Sequence, residues 1–262
     1  MTSPATRSPP PTWSAKLASW APGWPSYRSC SSARTTRRPS PPTRPARTSR
    51  PTRPGWSRIP GSTRCAPRRE AGVTALVGAA ARHPDGRRTI AALVIDRAGV
   101  ARVGYDKQQL WGDERELFSA GGRGATLLVD DWRLGLGICY DGCFPEHGRA
   151  AALDGAHGYL CPSGYLTGSE HRRDLYYAAR ALDNTMFVVF SNAVGGVDPW
   201  RFNGGAAIYD PQGRVLTRGA DDGTAVLVAT LDPDVLAATR AAHSMLADRL
   251  PDQGGPRLSM SG

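Results

Sequence analysis

From residue 70 onward, short apolar runs and alternating stretches bounded by turn residues predict strands. Residues 73–79 (Val-Thr-Ala-Leu-Val-Gly-Ala) and 90–96 (Ile-Ala-Ala-Leu-Val-Ile-Asp) are short apolar runs of the kind that fill buried strands. Residues 100–105 follow the second across a turn at 97–99. Residues 126–129 and 133–139 read as a hairpin joined at 130–132. Further strands are predicted at 159–161, 186–190, 206–209, 215–217 and 225–230, with a turn at 210–213. The period lengthens to a helical one in three places. Residues 144–153 form a short helix. Ser169 caps a second that runs to about Asn184, with Leu175, Ala178, Ala179 and Leu182 on one face. A third spans 233 to about 249. Alternating strands and helices in the middle, with hairpins at both ends, predict a mixed α/β sandwich.

Before residue 70 the pattern disappears. That segment holds 14 of the 22 prolines and, from the Val/Ile/Leu/Met/Phe class, only Met1, Leu17 and Ile59. Prolines at 39, 41, 42, 45, 51 and 54 remove backbone donors and fix φ, so neither a helix nor a central strand is expected there. Such a segment buries too little apolar surface to offset its ordering entropy, and it reads as disordered. Charge divides at the same point. The chain carries a net +10, yet all 23 acidic residues lie beyond residue 69 with 19 of the 33 basic ones, so residues 70–262 are mildly acidic. The chain therefore divides into a Pro/Arg/Ser/Thr-rich segment, 1–69, and a folded domain, 70–262. No apolar run is long enough to span a membrane. No apolar leader core is present, and the five cysteines show no CxxC spacing. A reducing, cytoplasmic compartment is the expectation.

Cys139 lies at the end of Trp132-Arg-Leu-Gly-Leu-Gly-Ile-Cys139 and precedes Tyr-Asp-Gly. A cysteine between strand and helix can present its sulfur at a pocket mouth, where backbone N–H groups lower its pKa and receive an oxyanion. An isolated cysteine is more often a small buried hydrophobe. Lys107 follows a strand in Tyr105-Asp-Lys-Gln-Gln-Leu-Trp111. A loop lysine is ordinarily solvated, but residues 70–262 contain 18 arginines and this single lysine, which hints that an ammonium is needed. Glu114 and Glu116 form a charge cluster typical of a solvated turn. His147, His157 and His171 lack metal-ligand spacing and read as structural or surface groups. Cys143 reads as packing one helical turn beyond Cys139, and Gly121-Gly-Arg-Gly124 lacks the context of a phosphate loop.

Taken together these motifs resemble the nitrilase superfamily of carbon–nitrogen hydrolases. Tyr105-Asp106-Lys107 with Leu110-Trp111, Glu114 and Leu117-Phe118 is similar to the family's lysine motif. Gly137-Ile138-Cys139-Tyr140-Asp141 with Phe144-Pro145-Glu146 is similar to its nucleophile motif. Pro162-Ser163, Arg180-Ala-Leu-Asp-Asn184, Ser191-Asn192 and Asp210-Pro-Gln-Gly213 follow in family order, so the resemblance covers about residues 70–250. It implies an αββα sandwich assembled into homodimers or larger oligomers, and hydrolysis of a small amide (or a nitrile or carbamoyl compound) through a cysteine thioester, with neither metal nor organic cofactor. Cys139 would be the nucleophile, Lys107 the stabiliser of the tetrahedral intermediate and Glu114 the second glutamate that positions substrate and lysine. Tyr140, through its N–H, would help form the oxyanion hole, and Ser163 and Asn192 would line the substrate site. Cys-Tyr-Asp favours the amidase-like branches.

One departure stands out. The resemblance implies a glutamate base at the end of an early strand, near residues 35–47, and residues 1–69 contain no carboxylate. The first strands and helix of the sandwich would be missing too. Residues 1–69 read best as an out-of-frame translation of a GC-rich gene, whose codons would give this Pro/Arg/Ser/Thr/Ala composition. A basic tail that binds nucleic acid ranks second, because its prolines and unpatterned aromatics make it nonspecific. A cleaved transit peptide ranks third. A chain without its base would be an inactive nitrilase-like protein retained for binding or dimerisation, the alternative to an amidohydrolase.

Overall fold

The computed structural model describes residues 13–18, 72–250 and 259–260. Three strands before the lysine form an antiparallel meander: β2 (Ala75–Arg82), β3 (Arg88–Ile95) and β4 (Ala101–Asp106). A short helix, α1 (Glu114–Leu117), and the hairpin β5 (Ala125–Val129) and β6 (Trp132–Leu136) follow. The chain then alternates through α2 (Pro145–Leu153), β7 (Gly158–Ser163), α3 (Glu170–Asn184) and β8 (Phe187–Asn192). It closes with the small pair β9 (Val194–Gly195) and β10 (Phe202–Asn203), then β11 (Ala207–Tyr209), β12 (Val215–Arg218), β13 (Val226–Leu231) and α4 (Pro233–Ala242). The larger sheet has the order β12-β11-β8-β7-β6-β5, parallel from β6 to β8 and antiparallel at both sides.

Alternation along the strands sorts side chains between two cores. In β8, Phe187 and Val189 face the second sheet layer with Leu134, Leu136, Leu160 and Ile208, while Val188 and Phe190 face α2 and α3 with Tyr159, Tyr177 and Ala181. Strands covered on both faces need apolar residues at every position, which explains the continuous runs there. Strand β6 solves the same problem differently. Trp132, Leu134 and Leu136 face the inter-sheet core, and Gly135 and Gly137 face outward. A Cβ on Gly135 would crowd Ala151 of α2 at 2.6 Å, and one on Gly137 would overlap the Tyr159 hydroxyl. The leucine–glycine alternation thus lets a helix and a tyrosine ring approach one side of the strand. The mixed α/β sandwich expected from the sequence is the fold found, with helices, a six-stranded sheet and a second sheet layer in succession.

Three expectations need correction. Residues Trp13–Ala18, inside the segment read as disordered, form strand β1, antiparallel to β13 with Trp13 opposite Leu231 and Ala18 opposite Val226. A ladder partner elsewhere in the chain supplies what local composition does not, and a first strand is therefore present. The rest of 1–69, and the expectation about the first helix, lie outside the described residues. Second, helix α3 buries Arg173, Tyr177, Arg180, Ala181 and Asn184, whereas Leu175 and Leu182 are 56% and 45% exposed. Arg173 is tolerated inside because Asn203 O and Oδ1 (2.8 Å each), Gly204 O, Asp174 and Asp221 take up its donors. Ser169 precedes the helix without capping it through its side chain. Third, α4 ends at Ala242, and the strand leading to Cys139 ends at Leu136, three residues short of the cysteine.

Candidate active site

Lys107 leaves β4 while still on the ladder, its N–H donating to Ile90 O at 2.8 Å. That anchorage buries the whole side chain, which is 1% exposed. A buried ammonium requires a counter-charge. Glu114 provides it, its Oε1 and Oε2 accepting from Nζ at 2.8 and 2.6 Å, and Oε2 also accepts from Trp111 N at 2.7 Å. The glutamate cluster is therefore divided: Glu114 turns inward and Glu116 stays exposed. Gly121 clips the loop from outside, donating to Lys107 O at 2.8 Å where a Cβ would overlap Asp106 O.

Cys139 opens a 3-10 turn, Cys139–Cys143, with φ of 48°. A non-glycine residue in the left-handed region costs about 1–3 kcal/mol and persists only where its surroundings enforce it. Here Tyr177 OH donates to Cys139 O at 3.0 Å, and the Asp141 carboxylate accepts from Ile138 N at 3.0 Å. Burial pushes the pKa of the half-buried Cys139 thiol up, the Lys107 ammonium and the Gly164 N–H pull it down, Glu114 and Cys143 add weaker upward pushes, and the net direction is upward. Burial is the largest of these influences and holds the thiol above its ordinary value, so the Lys107 ammonium is the group that favours the thiolate, and it can also favour the oxyanion formed by its attack.

The other candidate residues flank this centre. Tyr140 is half-buried with its ring edge-on to Phe144 at 4.9 Å. Ser163 Oγ donates to Cys161 O at 3.2 Å and lies 3.1 Å from Tyr177 OH. Asn192 is 2% exposed and its amide is engaged within the chain: Oδ1 accepts from Tyr165 N, and Nδ2 donates to Asn203 Oδ1 and Gly204 O. It shapes the loops after β7 and β10. Cys143 lies at the end of the 3-10 turn, before α2 begins, with its Sγ 3.1 Å from Tyr165 OH. The sequence motifs contain Asp141 and Tyr105 without giving either a role, Tyr177 stands outside them, and His147 reads there as a structural or surface group. Only the placement of Asp141 two residues after the cysteine could have drawn attention to it. A separate cleft of about 490 Å³ lies between β3, β4 and β5. It holds none of the six candidate residues, and its Arg97–Asp130 and Arg102–Asp96 ion pairs close within the chain. Among the described residues no three His, Cys, Asp or Glu side chains gather into a metal-sized group.

Comparison with known proteins decides the family. The carbon-nitrogen hydrolase family model matches residues 65–241. The chain belongs to that family. This carbon-nitrogen hydrolase is 38% identical over 197 residues to an (R)-stereoselective amidase of a Pseudomonas species, covering 74% of this chain and 68% of that one. It is 35% identical over 185 residues to a Pseudomonas protegens protein described as a hydrolase in the pqqF 5' region, covering 70% of this chain and 64% of that one. The chain thus spans about two thirds of the length of these relatives. Among solved structures, a mutant of the amidase from Nesterenkonia sp. AN1 superposes with a TM-score of 0.60 at 28% identity, covering 69% of this chain and 66% of that one. That protein carries the acetamide moiety of fluoroacetamide covalently at its active-site cysteine. Nitrilase-superfamily proteins recur among the structural neighbours, in accord with the sandwich described above.

Proposed function

We propose that this carbon-nitrogen hydrolase cleaves a small amide through a thioester on Cys139. The observation that carries the reading is the buried Lys107 ammonium, held by both Glu114 carboxylate oxygens and acting electrostatically on the Cys139 thiol. The thiolate attacks the amide carbon, and Lys107 with the Tyr140 N–H receives the oxyanion. The C–N bond breaks as the amine takes a proton, and water then hydrolyses the thioester to the acid and restores the thiol. Glu114 holds the ammonium in place through both carboxylate oxygens. Because it is committed to Lys107 and Trp111 N, a different base must take the thiol proton, and residues 1–69 as written contain no carboxylate. The reading therefore includes a native frame that restores one, with 70–262 as the hydrolase domain; coding DNA across codons 1–75 with the intact mass checks it. The test of activity is ammonia release from small amides by the full chain. Release that disappears in Cys139→Ala supports the reading.

The same commitment of Glu114 supports the second reading, an inactive nitrilase-like protein. No ammonia from a panel of small amides and nitriles, from protein shown to be folded, favours it. Self-association belongs to either reading. Leu153 of α2 and Leu175 and Leu182 of α3 stand exposed, and Arg149 Nη1 is buried without a hydrogen-bond partner among the described residues. A homo-oligomer covering these helices would bury the leucines and supply an acceptor; sedimentation velocity of the wild type against Leu175→Glu tests it. No helix among the described residues is long and apolar enough to cross a membrane. A cytoplasmic location accords with the free thiols of Cys139, Cys143 and Cys161.

A further inference from the structure

Cys139 and Lys107 come from different sheets, and something must fix one relative to the other. The Asp141 carboxylate bridges the two segments. Its Oδ1 accepts from Gln109 N at 2.8 Å, two residues beyond Lys107, and its Oδ2 accepts from Ile138 N at 3.0 Å, one residue before Cys139. Oδ2 also accepts from Tyr105 OH at 2.7 Å, and Asp141 is wholly buried. Three donors, two from the lysine segment and one from the cysteine segment, thus meet on one anion.

Hydrogen-bond accounting gives the direction of the chain behind it. Tyr105 OH donates its single proton to Asp141, so it can only accept from His147 Nε2, 2.9 Å away. That places the imidazole proton on Nε2, leaving Nδ1 to accept from Tyr159 OH at 2.9 Å. Tyr105 OH also accepts from Gln108 N at 3.2 Å, a second tie to the lysine loop. Burial keeps His147 neutral and both phenols protonated, against the pull of Asp141 on the imidazole. Proton order therefore runs one way, from Tyr159 through His147 and Tyr105 to the carboxylate. Gly137 is the space that admits the Tyr159 hydroxyl beside β6.

We propose that Asp141 is a positioning residue: its carboxylate clamps the turn that carries Cys139 to the loop that carries Lys107, and Tyr105, His147 and Tyr159 aim that carboxylate from behind. It touches no reacting atom and acts through the placement of the sulfur against the ammonium. Asn in its place would offer one acceptor oxygen and two N–H donors toward Ile138 N–H and the Tyr105 hydroxyl, so the clamp would open.

The proposal rests on Cys139 being the reactive thiol, and its test needs no turnover. Alkylation of Cys139 by iodoacetamide, followed by peptide mass spectrometry from pH 6 to 10, reads the sulfur directly in wild type, Asp141→Asn and Tyr105→Phe. Thermal melting first confirms that each variant is folded at the assay temperature. Asp141→Asn should slow Cys139 alkylation at pH 8 about tenfold and move its profile to higher pH, because the thiolate loses the aligned ammonium. Tyr105→Phe removes one hydroxyl without removing the ring and should shift the profile the same way by about threefold, which keeps the idea testable if the asparagine variant does not fold. A profile unchanged in folded variants overturns the proposal, since a merely structural carboxylate would lower only the melting temperature. A shift to lower pH overturns it too, since that is what simple loss of a negative charge would give. Failure to hydrolyse amides bears on the proposed function alone, whereas these profiles bear on the clamp.

Discussion

Strands β8 and β2 sit in the two sheet layers, and the contrast between them shows where the fold is closed. Every residue of β8 but Ser191 is buried, with ladder partners on both sides and side-chain layers on both faces. Strand β2 buries only Ala81; Val77 is 43% exposed, and the edge away from β3 pairs with no described strand. Both strands are rich in small or apolar residues, so composition alone does not separate them. Closure on the β8 side is what fixes the turn of Cys139, because Tyr177, stacked on Phe190 at 4.1 Å, donates to the cysteine's own carbonyl. The other layer contributes the lysine through β3 and β4, which join the inter-sheet core, and only its β2 strand is open.

If this contrast is right, substitutions near the closed layer should cost most. Gly137→Ala would drive a methyl group into the Tyr159 hydroxyl and should destabilise by about 3 kcal/mol, the upper range for overpacking, in urea unfolding. A loss under about 0.5 kcal/mol would mean that the tyrosine yields easily. Glu114→Gln leaves the buried Lys107 without its counter-charge. Removing one partner of a buried pair costs more than this site should, because Glu114 is 27% exposed, so about 2 kcal/mol is expected with a large loss of any amidase activity.

A pH experiment sharpens the comparison further. His147 is held neutral by burial, so folded protein binds fewer protons than unfolded protein near the ordinary histidine range, and stability is lost as pH falls through about 6.5. His147→Gln should lose less melting temperature between pH 7.5 and 5.5 than the wild type. It should still lose some, because burial and the nearby Arg240 and Arg133 lower His157 in the same direction. An equal loss in both proteins would remove His147 as a contributor. The smallest effect belongs to the open layer: Val77→Thr should change stability by no more than about 0.5 kcal/mol, and a larger loss would show that β2 is covered in solution.

Strand periods, the leucine–glycine alternation before Cys139 and the solitary lysine were all legible in the residues, because each is a local consequence of what a two-sided strand or a buried charge requires. The helix face of α3 was misread because Arg173 and Arg180 look like solvent-facing residues until the carbonyls and carboxylates that receive Arg173 come from β10 and the loop at Asp221. Trp13–Ala18 was misread for a related reason: its strand depends on β13, more than two hundred residues away.

By itself the sequence determined the α/β class and the residue types that can carry cysteine chemistry, since these follow from composition and from periods of two and 3.6. Only the tertiary structure decided that Glu114 faces Lys107 while Glu116 faces solvent, that the cysteine sits at a left-handed φ, and that Asp141 joins the two segments. The last two depend on contacts between parts of the chain more than 30 residues apart, 38 between Cys139 and Tyr177 and 36 between Tyr105 and Asp141, and the first on a turn that folds a residue seven positions on back over the buried lysine; no local pattern encodes such distances.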